Sequence, residues 1–176
     1  MVVLAGCATG TQSAERDVYQ FRPLPRPGTS ATDLDGPDFP ELRVEAPSIW
    51  PVDHPEVQVI SPFGVRRGST RGGLGRYHQG IDIKGPRGIP VYATADGEVT
   101  MAGTMRGYGK VIILAHGEEF MTVYAHLDRI GVEKGDRVRR GEKIGKLGGT
   151  GNASTPHVHY EVREDGKTVN PAPYLP

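Results

Sequence analysis

The sequence has one cysteine, one tryptophan and no apolar run long enough to cross a bilayer. The lone thiol, Cys7, cannot close an intramolecular disulfide, and it excludes the multi-cysteine zinc knuckles of small domains. A metal in this chain has to be held by histidine and carboxylate. No stretch reaches the ~18–20 consecutive apolar residues of a spanning helix. An excess of one charge is missing too, since 21 Lys and Arg stand against 21 Asp and Glu, so nothing points to nucleic acid as a partner. No long amphipathic helical period is present either.

The even balance hides a division. Residues 1–54 carry four Arg and eight Asp and Glu, which leaves 17 basic against 13 acidic residues in the remainder. That mildly basic remainder suits anionic polymers, and equally suits an ordinary solvated surface. Near the start, Leu4-Ala5-Gly6-Cys7 resembles the lipobox of bacterial lipoproteins, in which the cysteine becomes the acylated first residue. The apolar stretch before it is shorter than the ~7–15 residues of a signal core. A lipid anchor on Cys7 is the expectation, with a free thiol as the alternative. Ala8 follows where an Asp would favour inner-membrane retention, so the resemblance implies the periplasmic face of the outer membrane in a Gram-negative host.

Residues 8–48 show no sustained apolar period and contain Arg22-Pro23-Leu24-Pro25-Arg26-Pro27-Gly28 and Asp33-Leu34-Asp35-Gly36-Pro37-Asp38. Proline fixes φ and lacks an N–H, so this reads as a disordered Pro/Asp-rich linker, or as a segment that folds back over a site. From residue 49 to 176 the texture changes to short runs rich in β-branched and aromatic residues. Val57–Ile60, Gly80–Ile83, Val91–Ala93, Gly97–Thr100, Lys110–Leu114, Phe120–Ala125 and His157–Val162 suit strands, with turn residues at Asp96-Gly97, His116-Gly117, Lys134-Gly135-Asp136 and Asp165-Gly166. The fold class is all-β, an antiparallel two-sheet domain with an open groove.

The chemistry sits in the histidines. His78 and Asp82 are four residues apart, about 13 Å in an extended strand, whereas two ligands of one zinc each sit ~2.0–2.2 Å from the metal. The chain must bend between them, and Gly80 is the residue that permits it. His157 and His159 alternate on a strand and face one side, about 6.6 Å apart along the backbone. Glu161 shares that side, either supporting a ligand histidine or standing as an exposed strand carboxylate, the commoner case. Tyr124-Ala125-His126-Leu127 closes another strand.

In their order, His78-Gln79-Gly80-Ile81-Asp82, Tyr124-Ala125-His126-Leu127 and Pro156-His157-Val158-His159-Tyr160-Glu161 resemble the lysostaphin/LytM-type zinc metallopeptidases. Ser61-Pro62-Phe63-Gly64, Ala95-Asp96-Gly97, Tyr108-Gly109 and Gly149-Thr150-Gly151 add to the likeness. The resemblance implies one Zn²⁺ per chain held by His78, Asp82 and His159, with His126 and His157 as the catalytic pair; which of the two is the base stays open. It implies hydrolysis of peptide cross-links in bacterial peptidoglycan by metal-activated water, on stem peptides, by a monomer in the cell envelope. The helical His-Glu-x-x-His motif is absent, so no glutamate of that class serves as base. Asn152, Ser154 and Thr155 resemble the family's polar substrate loop. Arg66, Arg67, Arg71 and Arg76 either border the groove and grip carboxylates or lie in a solvated loop. Tyr77 adjoins His78 instead of preceding it by a few residues, so the tyrosine role of some relatives is not carried over. His54 reads as linker-edge surface, His116 as a turn residue near the groove, and Trp50 as an anchor of the domain edge. The alternative function is a non-catalytic regulator of this type that activates cell-wall amidases, although such proteins usually lose zinc ligands. A likeness of residues 131–142 to biotinyl/lipoyl carriers is a shared hairpin pattern without a suitably placed lysine.

Overall fold

β-Branched and aromatic residues alternate with glycine turns throughout the C-terminal part, and the computed structural model, which describes residues 46–65 and 77–176, is accordingly built from strands. Cys7, residues 8–45 of the expected linker, and Arg66, Arg67, Arg71 and Arg76 lie outside the described residues. In chain order the strands are β1 (Gln58–Ser61), β2 (Gly64–Val65), β3 (Tyr77–His78), β4 (Ile81–Lys84) and β5 (Pro90–Tyr92). The long central strands follow as β6 (Gly97–Met105), β7 (Gly109–His116) and β8 (Phe120–Leu127). The remainder are β9 (Arg129–Ile130), β10 (Arg137–Val138), β11 (Lys143–Lys146), β12 (His157–Glu164) and β13 (Lys167–Val169), then a 3-10 turn at Ala172–Tyr174.

An eight-stranded sheet runs β1-β4-β12-β8-β7-β6-β10, with β13 added to β12, and every pairing in it is antiparallel. A three-stranded sheet, β5-β11-β9, forms the second layer, and β2 with β3 makes a separate ribbon. Asp165 and Gly166 join β12 to β13 with φ of 49° and 74°, the pair of positive values a type I′ hairpin turn requires. The expected strands are present, and four of them, β6, β7, β8 and β12, are longer than expected. The strands not foreseen are β2, β3, β9, β10, β11 and β13, each two to four residues long.

The main core lies between the two sheets, where Ile83, Ile112, Leu114, Tyr124, Val158 and Tyr160 of the large sheet meet Val91 and Ile144 of the small one. Because side chains alternate along β12, Val158, Tyr160 and Val162 fill this core while His157, His159 and Glu161 stand on the opposite face. That face holds a smaller apolar cluster of Val111, Val123 and Ala125. Trp50 packs against the main core, and its indole N–H donates to the Pro176 carbonyl at 2.8 Å, which ties the entrance of the domain to its end.

His116 corrects an expectation. It is the last residue of β7, not part of the turn that follows, and it is wholly buried and does not line the groove it was expected to adjoin. Its Nδ1–H donates to the Asp96 carbonyl at 2.6 Å, and Nε2 lies 2.7 Å from the Thr122 hydroxyl, so both polar atoms are satisfied away from water. Burial pushes this imidazole below its ordinary value, only partly offset by the Asp96 carbonyl and carboxylate.

Candidate metal centre

His78 ends β3, Asp82 lies in β4, and the chain bends between them at Gln79-Gly80 to pass from the ribbon into the large sheet. A Cβ on residue 80 would run into the Tyr160 carbonyl of β12, so only glycine lets the bend sit against that strand. In the adjoining ladder Asp82 pairs directly with His159, which places their side chains together on the outer face. The donor atoms then converge: His78 Nε2 is 3.0 Å from Asp82 Oδ1 and 3.1 Å from His159 Nδ1, and His159 Nδ1 is 2.8 Å from Asp82 Oδ1. Tetrahedral zinc with bonds of ~2.0–2.1 Å separates its donors by roughly 3.3 Å. Among the described residues these three form the group with metal-ligand spacing, and all three are buried.

His126 reaches the same place by a different device. Along β7 and β8, Lys110 faces Leu127 and Ile112 faces Tyr124, so two steps on one strand oppose three on the other. The extra residue is a bulge. Within it His126 has φ of 60°, a left-handed conformation uncommon outside glycine, and its ring leaves the core side for the groove. Its ring centroid lies 4.7 Å from that of His157 and 5.9 Å from that of His159.

Main-chain acceptors decide which nitrogen each ring presents. A carbonyl can only accept, so a ring nitrogen beside one carries the proton. His78 donates Nδ1–H to Pro62, His126 to Thr150 and His157 to Thr155, at 2.8, 2.8 and 2.7 Å. Each therefore turns an Nε2 lone pair toward the groove when neutral. For His78 that atom belongs to the metal donor set. For His126 and His157 it is free of the donor set, with His157 Nε2 3.7 Å from Asp82 Oδ1.

The electrostatics fit this division. Burial alone would raise the Asp82 carboxyl, yet the hydrogen bond from His159 and the nearby His78, His159 and His157 rings hold it at about 2. Burial lowers His126, which keeps it neutral and able to take a proton. Burial acts to lower His159 as well, but its bonds to Asp82 and Glu161 overcome that and raise it. Holding a metal at Nδ1 requires that nitrogen to give up its proton.

Glu161 departs from the exposed strand carboxylate held to be the commoner case. It is fully buried; its Oε1 lies 3.0 Å from His159 Nε2 and accepts from the Tyr108 hydroxyl at 2.7 Å. Arg163 donates to Oε2 through Nε at 3.0 Å and Nη2 at 2.7 Å. Tyr108 and Arg163 had no role in the sequence reading; the only signal was Tyr108-Gly109 as a motif match. Burial and the Glu161 carboxylate push the Tyr108 phenol up to about 12, so it remains a donor. Asn152, Ser154 and Thr155 stand exposed along a groove of about 360 Å³ that also contains the five site residues. His54 lies away from this groove.

Fold and site together describe an antiparallel β domain with a buried His–Asp–His group that could hold a metal ion. The chain belongs to Peptidase family M23, whose profile matches residues 76–171. It is 39% identical over 158 residues to the murein hydrolase activator NlpD of Salmonella typhimurium, covering 88% of this chain and 38% of that protein. It is 43% identical over 114 residues to the DD-carboxypeptidase/endopeptidase Mpg of Neisseria meningitidis serogroup B, covering 65% of this chain and 26% of Mpg. A zinc containing peptidase from Vibrio cholerae superposes with a TM-score of 0.67 at 36% identity, over 72% of this chain and 39% of that one. The chain thus spans well under half the length of each of these relatives.

Proposed function

We propose that this protein is a zinc metalloendopeptidase that hydrolyses peptide cross-links of bacterial peptidoglycan. The observation that carries the reading is the pair of Nε2 atoms, on His126 and His157, left free by main-chain carbonyls beside an intact His–Asp–His donor set. His78 Nε2, Asp82 Oδ1 and His159 Nδ1 would hold the metal. Zinc bound there supplies Lewis acidity and makes water a competent nucleophile near neutral pH. One of the two free imidazoles would accept on Nε2 the proton released in attack and pass it to the leaving amine; the other, protonated on Nε2, would donate a hydrogen bond toward the developing oxyanion. Asn152, Ser154 and Thr155 offer hydrogen bonds along the groove to the stem peptide.

Incubation of zinc-loaded protein with purified peptidoglycan, followed by mass spectrometry of the fragments, tests this. New paired amine and carboxyl ends are expected, and intact cross-links after exhaustive digestion would remove the proposal. A second reading, a regulator that activates a wall hydrolase without cutting, draws on the likeness to NlpD. It predicts that wild type and His126→Ala stimulate a murein amidase equally while neither cuts alone. We further infer a cell-envelope location with an acyl group on Cys7, supported by Leu4-Ala5-Gly6-Cys7. Radiolabelled palmitate should enter wild type in bacterial cells and not Cys7→Ser; equal labelling of the two rejects the anchor.

A further inference from the structure

Three of the four groove histidines have their ring orientation set by the main chain, through the carbonyls of Pro62, Thr150 and Thr155. His159 is the exception. Its metal-side atom is Nδ1, and its remaining nitrogen faces a side chain, Glu161, at 3.0 Å. A neutral imidazole that offers Nδ1 to a metal carries its proton on Nε2, and that proton needs an acceptor. Glu161 lies two residues further along β12, on the same face, where strand geometry brings an acceptor to that nitrogen. The side chain is fully buried, an unfavourable place for a carboxylate unless its lone pairs are engaged. Here they are: Oε1 serves His159 and Tyr108, and Oε2 takes both donors of the Arg163 fork.

We propose that Glu161 is the positioning residue of the metal centre: it selects Nδ1 of His159 as the ligand atom, and Arg163 and Tyr108 lock the carboxylate in the orientation that does so. This rests on reading His78, Asp82 and His159 as a zinc site. Arg163 fixes Oε2, so the carboxylate cannot turn away from His159. Tyr108 donates to the same oxygen that receives Nε2–H, and its ring meets the His159 ring edge-on at 5.7 Å, which restrains the imidazole plane. Without Glu161, His159 keeps its place on the strand but loses the acceptor that distinguishes its two nitrogens.

The test is zinc affinity of the full chain by competition with a chromogenic chelator, alongside ¹⁵N spectra of the imidazoles and circular dichroism for the fold. Glu161→Ala should weaken zinc binding about 10–100-fold. Glu161→Gln keeps a carbonyl oxygen able to face Nε2–H and should recover part of that loss. In zinc-loaded wild type, His159 should show a protonated Nε2 and a metal-bound Nδ1; in Glu161→Ala the two nitrogen signals should lose that distinction. If Glu161→Ala does not fold, Arg163→Met and Tyr108→Phe, which leave the carboxylate but loosen it, should each bind zinc more weakly than wild type. Unchanged affinity in a folded Glu161→Ala, or in both loosening variants, overturns the proposal, as does zinc on Nε2 of His159 in wild type. Failure of the underlying site looks different: wild type binds no zinc, or His159→Ala binds it undiminished, and the positioning role falls with it.

Discussion

His126 holds a backbone conformation that a β-carbon resists, at φ of 60°, and its N–H is spent on the Tyr108 carbonyl at 2.8 Å. Strain of this kind costs about 1–3 kcal/mol and persists where the surroundings enforce it. Glycine tolerates that region and alanine does not. His126→Gly should therefore unfold at higher denaturant than His126→Ala by about 1 kcal/mol, read by urea titration; equal midpoints would mean the bulge carries no strain. The same residue divides binding from turnover. His126→Ala and His157→Ala should retain stoichiometric zinc while losing at least about 100-fold in peptide-bond cleavage, the size expected for a general acid or base. Asp82→Ala and His159→Ala should lose the metal itself, measured by elemental analysis after dialysis. The likeness of three short motifs to the lysostaphin/LytM-type peptidases made the grouping of these five side chains legible in advance, whereas spacing and residue type alone only suggested it. The state of Glu161 was not, since strand alternation places a side chain on a face without saying whether that face is covered.

The bend at Gln79-Gly80 and the bulge in β8 do for the site what regular strands cannot. The first brings the donor atoms of His78 and Asp82, four residues apart, to within 3.0 Å of each other; the second turns a side chain from the core toward the groove. The bend was legible because His78 and Asp82 could share a metal only if the chain folded between them, with glycine at the place to do it. The bulge had no sequence signal, because Tyr124-Ala125-His126-Leu127 reads as plain strand and its register depends on β7. Short strands such as β9 and β10 escaped for a related reason: two residues carry no period, and pairing with longer strands creates them. Gly80→Ala places a methyl group against the Tyr160 carbonyl and pushes on the strand that carries His157 and His159. It should cost about 1–3 kcal/mol in stability and weaken zinc binding as well. A Gly80→Ala protein with wild-type melting and wild-type metal affinity would show that the close approach is not needed.

Across the whole domain the two sheets are joined by a polar contact as well as by apolar packing. The Thr94 hydroxyl, just beyond β5, lies 2.9 Å from both the Tyr124 and the Tyr160 hydroxyls of the large sheet, and Tyr124 lies 3.0 Å from Thr122, the neighbour of His116. Thr94→Val keeps the shape but removes the hydroxyl the two buried phenols share, so it should destabilise by about 1–3 kcal/mol in urea unfolding. His116 makes stability depend on pH. Its folded value lies below the ordinary 6.5, so the unfolded chain takes up a proton first as pH falls. The stabilisation is complete above about 6.5 and is lost progressively below it, until the folded value is passed. Comparing wild type with His116→Gln isolates this, because the remaining histidines are common to both. The stability gap should narrow between pH 7.5 and pH 5, and a gap that is constant or widens would contradict a neutral buried His116.

All-β architecture was readable from short β-branched and aromatic runs separated by turn residues such as Asp96-Gly97 and Asp165-Gly166. What joins the layers was not, because a buried hydroxyl chain leaves no pattern along the sequence. The position of the metal decides the roles of all five side chains, and anomalous diffraction at the zinc edge on crystals of zinc-loaded protein tests it directly. It should give one peak per chain within bonding distance of His78 Nε2, Asp82 Oδ1 and His159 Nδ1, with the Nε2 atoms of His126 and His157 outside the coordination shell. No peak, or a peak that recruits His126 or His157 as a ligand, would contradict it.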